Sequence, residues 1–252
     1  MSESLVLLHG FGGTHRAWDG VVALAETRMR AGGACLPASV DRERYRLLPL
    51  DLPGHGAEAD APRPISFGGC VEHVLAAGPE RFALCGYSLG GRVALHVALA
   101  APERVARLVL IGVNPGIEDA EERAARRLAD RALADDLECG PYEEFIERWR
   151  TQPLFAADPP EVGALAREDQ RRNRPDALAA AMRGLGVGEM RPLWDRLPEL
   201  AMPVTVLVGQ RDEKFLALGQ RMVELLPAGE LVVVPGGHGL PLENPAAVVQ
   251  AL

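Results

Sequence analysis

Residues 82–100, FALCGYSLGGRVALHVALA, decide the fold of this chain. The apolar run Phe82–Cys85 predicts a buried strand, and Gly91–Leu99 predicts a helix. Between them lies the motif G-x-S-x-G, in which Gly86 and Gly90 flank Ser88. A strand-to-helix turn this tight leaves no room for side chains beside the serine and holds it in a strained conformation. The turn would expose the Ser88 hydroxyl at the N-terminus of the helix, where the helix dipole favours negative charge.

Further strand candidates alternate with helical stretches along the chain. This pattern predicts an α/β fold with a mainly parallel sheet and helices on both faces. The predicted strands are Leu5–Leu8, Arg46–Leu50, Phe82–Cys85, Leu108–Ile111, Val204–Val208 and Leu231–Val234. Right-handed crossovers would bring the C-terminal ends of all strands to one edge of the sheet, where open α/β sheets bind ligands.

A serine nucleophile needs a histidine as base and a carboxylate that orients the histidine. In folds with this kind of turn, the acid follows the serine in the chain and the histidine comes last. His238 follows the last predicted strand, and Asp212 follows the strand before it. His96 lies within the helix after the serine and is interpreted as a packing residue. The sequence therefore predicts a catalytic set of Ser88, Asp212 and His238.

An oxyanion hole needs two backbone N–H groups close to the serine. The first strand ends in LLHGFGG, so the amide of Phe11 is one candidate donor. The amide of Leu89, directly after the serine, is the other.

Residues 116–196 interrupt the alternation of strands and helices. The segment has no convincing strand, and its helix-start signals are Pro141, Pro159, Pro160 and Pro175. We therefore predict a core formed by residues 1–115 and 197–252, with residues 116–196 as a helical cap or lid. Residues 26–45 are interpreted as a surface loop without an assigned role.

Composition excludes several classes of function. The net charge of −8 gives no global attraction for nucleic acid or an anionic membrane. No apolar run approaches the roughly 20 residues that span a bilayer, and the N-terminus is interpreted as a strand rather than a signal peptide. Four cysteines without metal-binding spacing favour the cytoplasm. The oligomeric state stays open.

The segments LHGFGGTHRAWD, DLPGHG, CGYSLGGRVALHVAL and GGHGLPLENP resemble the α/β-hydrolase superfamily. More specific segments resemble the 2-succinyl-6-hydroxy-2,4-cyclohexadiene-1-carboxylate (SHCHC) synthases of menaquinone biosynthesis. These are GYSLGGR, NPGIEDAEERAARR, WRTQPLF, LAAAMRGLGVGEMRPLW and VGQRDEKF. The resemblance implies a carbon–oxygen lyase of α/β-hydrolase fold that uses its triad to abstract a proton and eliminate pyruvate. It implies neither a cofactor nor a metal.

The resemblance also implies a pocket for a small substrate with several carboxylates. Arg92 and Arg126 would bind carboxylates, and Tyr87 and Trp149 would line the pocket. The family's third arginine falls in QRRNRPD, where Arg171 is the choice over its neighbours Arg172 and Arg174.

Two other functions remain open at this point. One is a carboxylesterase or C–C bond hydrolase that forms an acyl-enzyme on Ser88. The other is a non-catalytic binding protein with the same fold. Turnover of simple p-nitrophenyl esters would favour the first, and turnover of any substrate would exclude the second.

Overall fold

The computed structural model describes residues 3–30, 45–156 and 158–252. These residues form one six-stranded parallel sheet in the order β2-β1-β3-β4-β5-β6. The strands are β1 (Glu3–Leu8), β2 (Tyr45–Leu50), β3 (Phe82–Tyr87), β4 (Val105–Ile111), β5 (Val204–Gly209) and β6 (Gly229–Val234). Each predicted strand lies within an observed one, so the predicted parallel α/β sheet is confirmed.

Helices cover both faces of this sheet. In the described ranges they are α1 (Asp19–Arg30), α2 (Phe67–Ala77), α3 (Leu89–Ala100), α4 (Ala120–Cys139), α5 (Tyr142–Arg150), α6 (Pro160–Gln170), α7 (Pro175–Leu185), α8 (Glu213–Leu225), α9 (Leu240–Glu243) and α10 (Pro245–Ala251). Side chains of a strand alternate between its faces. Along β1, Leu5 and Leu7 therefore pack in the apolar cluster of Trp18 and α10, whereas Val6 and Leu8 pack in the cluster of α2, α3 and α8.

Helices α4 to α7 fill the chain between β4 and β5, and its described residues contain no strand. Helices α6 and α7 begin at Pro160 and Pro175, and α5 begins directly after Pro141, so these predicted helix starts are confirmed. The segment has an apolar cluster of its own, which includes Phe145 and Leu178. The division of the chain into a core and a lid stays a prediction.

The predicted surface loop at residues 26–45 is wrong in its first part. Helix α1 continues to Arg30, because ETRMR contains good helix formers that extend the preceding turns. Residues 31–44 lie outside the described residues. No helix in the described ranges is long and apolar enough to cross a membrane.

Candidate active site

Ser88 occupies the sharp turn between β3 and α3. Its φ angle is +52°, a conformation that L-residues adopt at a cost, and no other non-glycine residue in the described chain has a positive φ. The flanking glycines are sterically required. A Cβ atom on Gly90 would lie 2.2 Å from the carbonyl oxygen of Leu8, and one on Gly86 would lie 2.3 Å from that of Gly90. Both glycines of the G-x-S-x-G motif are therefore needed, because backbone segments lie in direct contact at this turn.

Ser88, His238 and Asp212 meet at the C-terminal edge of the sheet. Nδ1 of His238 lies 2.7 Å from Oδ2 of Asp212, and Nε2 lies 3.1 Å from Oγ of Ser88. With a proton on Nδ1, the imidazole donates to the aspartate and accepts from the serine hydroxyl. His238 and Asp212 are buried, so this chain of hydrogen bonds is shielded from water. The arrangement suits proton transfer to and from Ser88.

Aromatic rings surround His238 on several sides. The ring centroids of Phe215, Tyr87 and Phe155 lie 4.5, 5.3 and 6.1 Å from that of the imidazole. Burial raises the pKa of the Tyr87 phenol above its usual range, so this side chain is neutral at physiological pH. The rings restrict the orientation of His238 and exclude water from the proton path.

One predicted oxyanion donor follows Ser88 in the chain, and the other belongs to a residue of the same cavity lining. The amide of Leu89 begins α3, where a helix leaves its first N–H groups without helical acceptors. Phe11 lies in the turn after β1 and lines the same cavity as Ser88. Among the described residues neither amide donates a hydrogen bond. Both N–H groups are therefore available to a developing negative charge.

Contacts from the helical segment hold the turn that carries Phe11. Asp169 accepts hydrogen bonds from the amide and the hydroxyl of Thr14, at 2.8 and 2.5 Å. Nδ2 of Asn173 donates to the carbonyl oxygen of Gly12 at 2.7 Å. All three polar side chains are buried. The position of the Phe11 amide thus depends on residues more than 150 positions away in the sequence.

A cavity of about 490 Å³ opens above the triad. This volume is ordinary for a small-molecule site. The described side chains that line it include four cations, and these are Arg92, Arg126, Arg211 and Lys214. A protein of net charge −8 therefore collects positive charge at this cavity.

Arg92 follows Ser88 by one turn of α3. Its Nη1 donates to the carbonyl oxygen of Leu185 at 2.7 Å. Burial, together with the nearby charge of Arg126, lowers the pKa of Arg92 to about 10. The guanidinium is still protonated at neutral pH. An anion beside it would offset both the lost hydration and the repulsion between the two arginines.

The structure brings Arg126 to the cavity but not Arg171. Nε of Arg126 donates to the buried Asp130 at 2.7 Å, while 42% of the side chain stays accessible. Arg171 forms an exposed bidentate pair with Glu143 on the outer surface. Arg171 therefore lies outside the lining of this cavity, because the end of α6 directs its side chain toward α5, and its carboxylate contact stays a prediction.

Trp149 and Tyr87 differ in their position relative to this cavity. Trp149 lines it and packs against Phe11, with 5.0 Å between ring centroids. Tyr87 instead lines a neighbouring cavity of about 60 Å³, which shares Phe11 and Trp149 with the larger one. Tyr87 therefore borders this adjacent space and contacts His238, and its predicted role in the substrate pocket stays a prediction.

Sequence reasoning missed several residues of the cavity wall. Arg211 lies in the turn after β5, beside Asp212, and Lys214 and Phe215 lie in the first turn of α8. Their proximity to a predicted catalytic residue at a strand end was the signal that could have identified them. Asn114, after β4, follows the same rule, whereas Gln152 has no comparable signal because it comes from the helical segment.

Comparison with known proteins identifies relatives along the whole chain. Residues 5–251 match the model of the alpha/beta hydrolase family. The SHCHC synthase of Klebsiella pneumoniae (strain 342) is 34% identical, over 98% of this chain and 91% of that protein. The enzyme of the same name from Salmonella newport (strain SL254) is 32% identical, over 100% and 92%. The solved structure of MenH from S. aureus matches with a TM-score of 0.84 and 28% identity, and covers 99% of this chain and 91% of that one.

Proposed function

The chain belongs to the alpha/beta hydrolase family, and we propose that it is an SHCHC synthase, a lyase of menaquinone (vitamin K2) biosynthesis. Its substrate would be 2-succinyl-5-enolpyruvyl-6-hydroxy-3-cyclohexene-1-carboxylate, and its products SHCHC and pyruvate. One observation carries the proposal: a hydrogen-bonded Ser88–His238–Asp212 set opens into a cationic cavity. The names of the full-length relatives support the same reaction.

Proton abstraction is the first step of the proposed reaction. The C2–H bond of the ring lies next to the succinyl carbonyl, so the proton on C2 is acidic. Ser88 removes this proton as its own proton passes to Nε2 of His238, 3.1 Å away. The carboxylate of Asp212, at 2.7 Å from Nδ1, stabilises the resulting imidazolium.

Loss of pyruvate follows from the movement of the electron pair. The pair from C2–H forms the C2=C3 bond, the former C3=C4 pair moves to C4=C5, and the C5–O bond breaks. The leaving enolpyruvate takes up a proton, which protonated His238 supplies, and becomes pyruvate. The succinyl carbonyl oxygen carries negative charge in the transition state. The free amides of Phe11 and Leu89 are suited to stabilise it.

Charge recognition would position the substrate. The substrate has three carboxylates, on the ring, the succinyl chain and the enolpyruvyl group. Arg92 and Arg126 offer planar guanidinium groups that suit a carboxylate. Trp149 and Phe11 form an apolar wall for the ring.

A coupled assay tests the proposal. The substrate would be generated in situ by the preceding pathway enzyme, and pyruvate release would be followed with lactate dehydrogenase. We expect fast release by the unmodified protein and a loss of several orders of magnitude in kcat for Ser88→Ala. Asp212→Asn should lose about 10⁴-fold because it favours the wrong histidine tautomer. Asp195→Asn, an exposed matched control, should behave as the unmodified protein.

A carboxylesterase is the second candidate, because the same triad geometry suits attack of Ser88 on an ester carbonyl. Such an enzyme would release p-nitrophenol from p-nitrophenyl acetate in a Ser88-dependent burst. Ester turnover without pyruvate release would assign the esterase function and refute the lyase. A protein that turns over neither substrate would be left with a binding role.

A further inference from the structure

Lys214 is the single lysine of this chain, whereas its other 26 basic side chains are arginine. This one lysine lies two residues after Asp212, in the first turn of α8, and lines the cavity above the triad. The cation at this position is therefore a compact ammonium group and not a wide planar guanidinium.

The cations around the cavity differ in what already neutralises them. Arg211 is paired with Glu243, and Arg126 with Asp130. Arg92 donates to a backbone carbonyl and, among the residues that the structure describes, pairs with no carboxylate. Within the described ranges of the chain, Lys214 takes part in no hydrogen bond and no ion pair. Its charge is therefore the one most available to an incoming anion.

The proposed substrate requires a further cationic contact. It has three carboxylates, and Arg171, the third arginine expected from the sequence, points to the outer surface instead. Arg92 and Arg126 account for two carboxylates. We propose that Lys214 binds the remaining carboxylate and so contributes to specificity for tricarboxylate substrates. The identity of that carboxylate rests on the proposed function, but the anion contact itself does not.

Lys214 is exposed, so its replacement should leave the fold intact. The test compares Lys214→Met and Lys214→Arg with Arg196→Met. Arg196 is an equally charged, exposed residue that pairs with Glu199 and does not line the cavity. The Arg196 variant controls for the loss of one positive charge from the whole protein.

Calorimetric titration with tricarballylate, a simple tricarboxylate, measures the anion contact without reference to catalysis. We expect binding to the unmodified protein, about tenfold weaker binding to Lys214→Met, and intermediate binding to Lys214→Arg. Arg196→Met should bind as the unmodified protein does, and all melting temperatures should agree. Equal affinities for Lys214→Met and the unmodified protein, or no binding by the latter, would overturn the proposal.

The pyruvate assay separates this proposal from the proposed function. If both hold, Lys214→Met should raise KM about tenfold and change kcat little, because the contact is present in both ground and transition states. Tricarballylate binding that depends on Lys214, without pyruvate release, would refute the lyase and keep the anion site. Pyruvate release with an unchanged KM in Lys214→Met would refute the role of Lys214 and keep the lyase.

Discussion

Replacing Ser88 with glycine is expected to abolish catalysis while making the protein more stable than its Ser88→Ala counterpart. Both variants lack the serine hydroxyl, and they differ in the cost of the φ angle of +52° that the turn imposes. Alanine keeps this strain, because its Cβ remains, whereas glycine adopts positive φ freely. The comparison therefore measures how much stability the chain gives up to expose its serine.

The size of the effect follows from two opposing terms. A non-glycine residue in such a conformation costs on the order of 1–3 kcal/mol. Glycine loses more backbone freedom on folding, which costs about 0.5–1 kcal/mol. Ser88 makes no side-chain capping bond to α3, so neither replacement loses a helix cap. The net advantage of Ser88→Gly over Ser88→Ala is about 1 kcal/mol, or roughly 2–4 °C in melting temperature.

Thermal unfolding by circular dichroism would measure this difference. Ala125→Gly, at an exposed position within α4, is the matched control. There the helix needs no positive φ, so glycine should lower the stability by about 1 kcal/mol. If Ser88→Gly melts at or below Ser88→Ala, the turn is not strained and the argument for a serine held in a strained conformation fails.

Three further variants test three separate features. Arg92→Ala tests the anion site, Asp169→Asn tests the turn that carries Phe11, and His55→Gln tests the stability at low pH. Arg92→Ala should lower kcat/KM for pyruvate release about 100-fold, because a buried charged contact is worth about 3 kcal/mol; a change confined to the melting temperature would make Arg92 structural. Asp169→Asn should lower both the melting temperature and kcat, because Thr14 loses a charged acceptor. An unchanged kcat would mean that this hydrogen bond does not position the Phe11 amide. Burial lowers the pKa of His55 to about 3 from 6.5. At pH values between these two, the His55 side chain is neutral in the folded state and protonated in the unfolded chain. This contribution to stability is complete above about pH 6.5 and is lost as the pH falls, by about 2 kcal/mol at pH 5. Urea unfolding should show a smaller acid loss for His55→Gln, and equal losses would contradict the assignment.

The meeting of Ser88, Asp212 and His238 could be predicted from the sequence because each of these residues follows a strand. Apolar runs reveal buried strands, and parallel strands bring their C-terminal ends to one edge. Ser88, Asp212 and His238 follow β3, β5 and β6, so local patterns and chain order were sufficient to bring them together. No long-range contact had to be known in advance.

The arginines of the helical segment could not be assigned in the same way. Their directions depend on how helices pack against partners that are distant in the sequence. Arg171 pairs with Glu143, 28 positions earlier, and this contact exists because α5 and α6 lie side by side. A charged residue at the end of a helix has no apolar periodicity that would reveal its direction, so family spacing was the sole guide to Arg171.

Arg126 is positioned by one buried polar residue of the same helix. The buried stripe of α4 consists of Asp130, Ala134 and Leu137, and positions 126 and 127 both lie one turn before Asp130, so helical phase alone does not select Arg126. The aspartate interrupts the apolar pattern and hides the stripe from a search for hydrophobic residues. A carboxylate that is 1% exposed needs a charged donor, which Nε of Arg126 supplies. A guanidinium can serve Asp130 through Nε and still offer its terminal nitrogens to a substrate carboxylate. A lysine at this position has one nitrogen for both carboxylates. In the proposed complex, Arg126 would therefore contact two carboxylates, whereas the ammonium group of Lys214 would contact one.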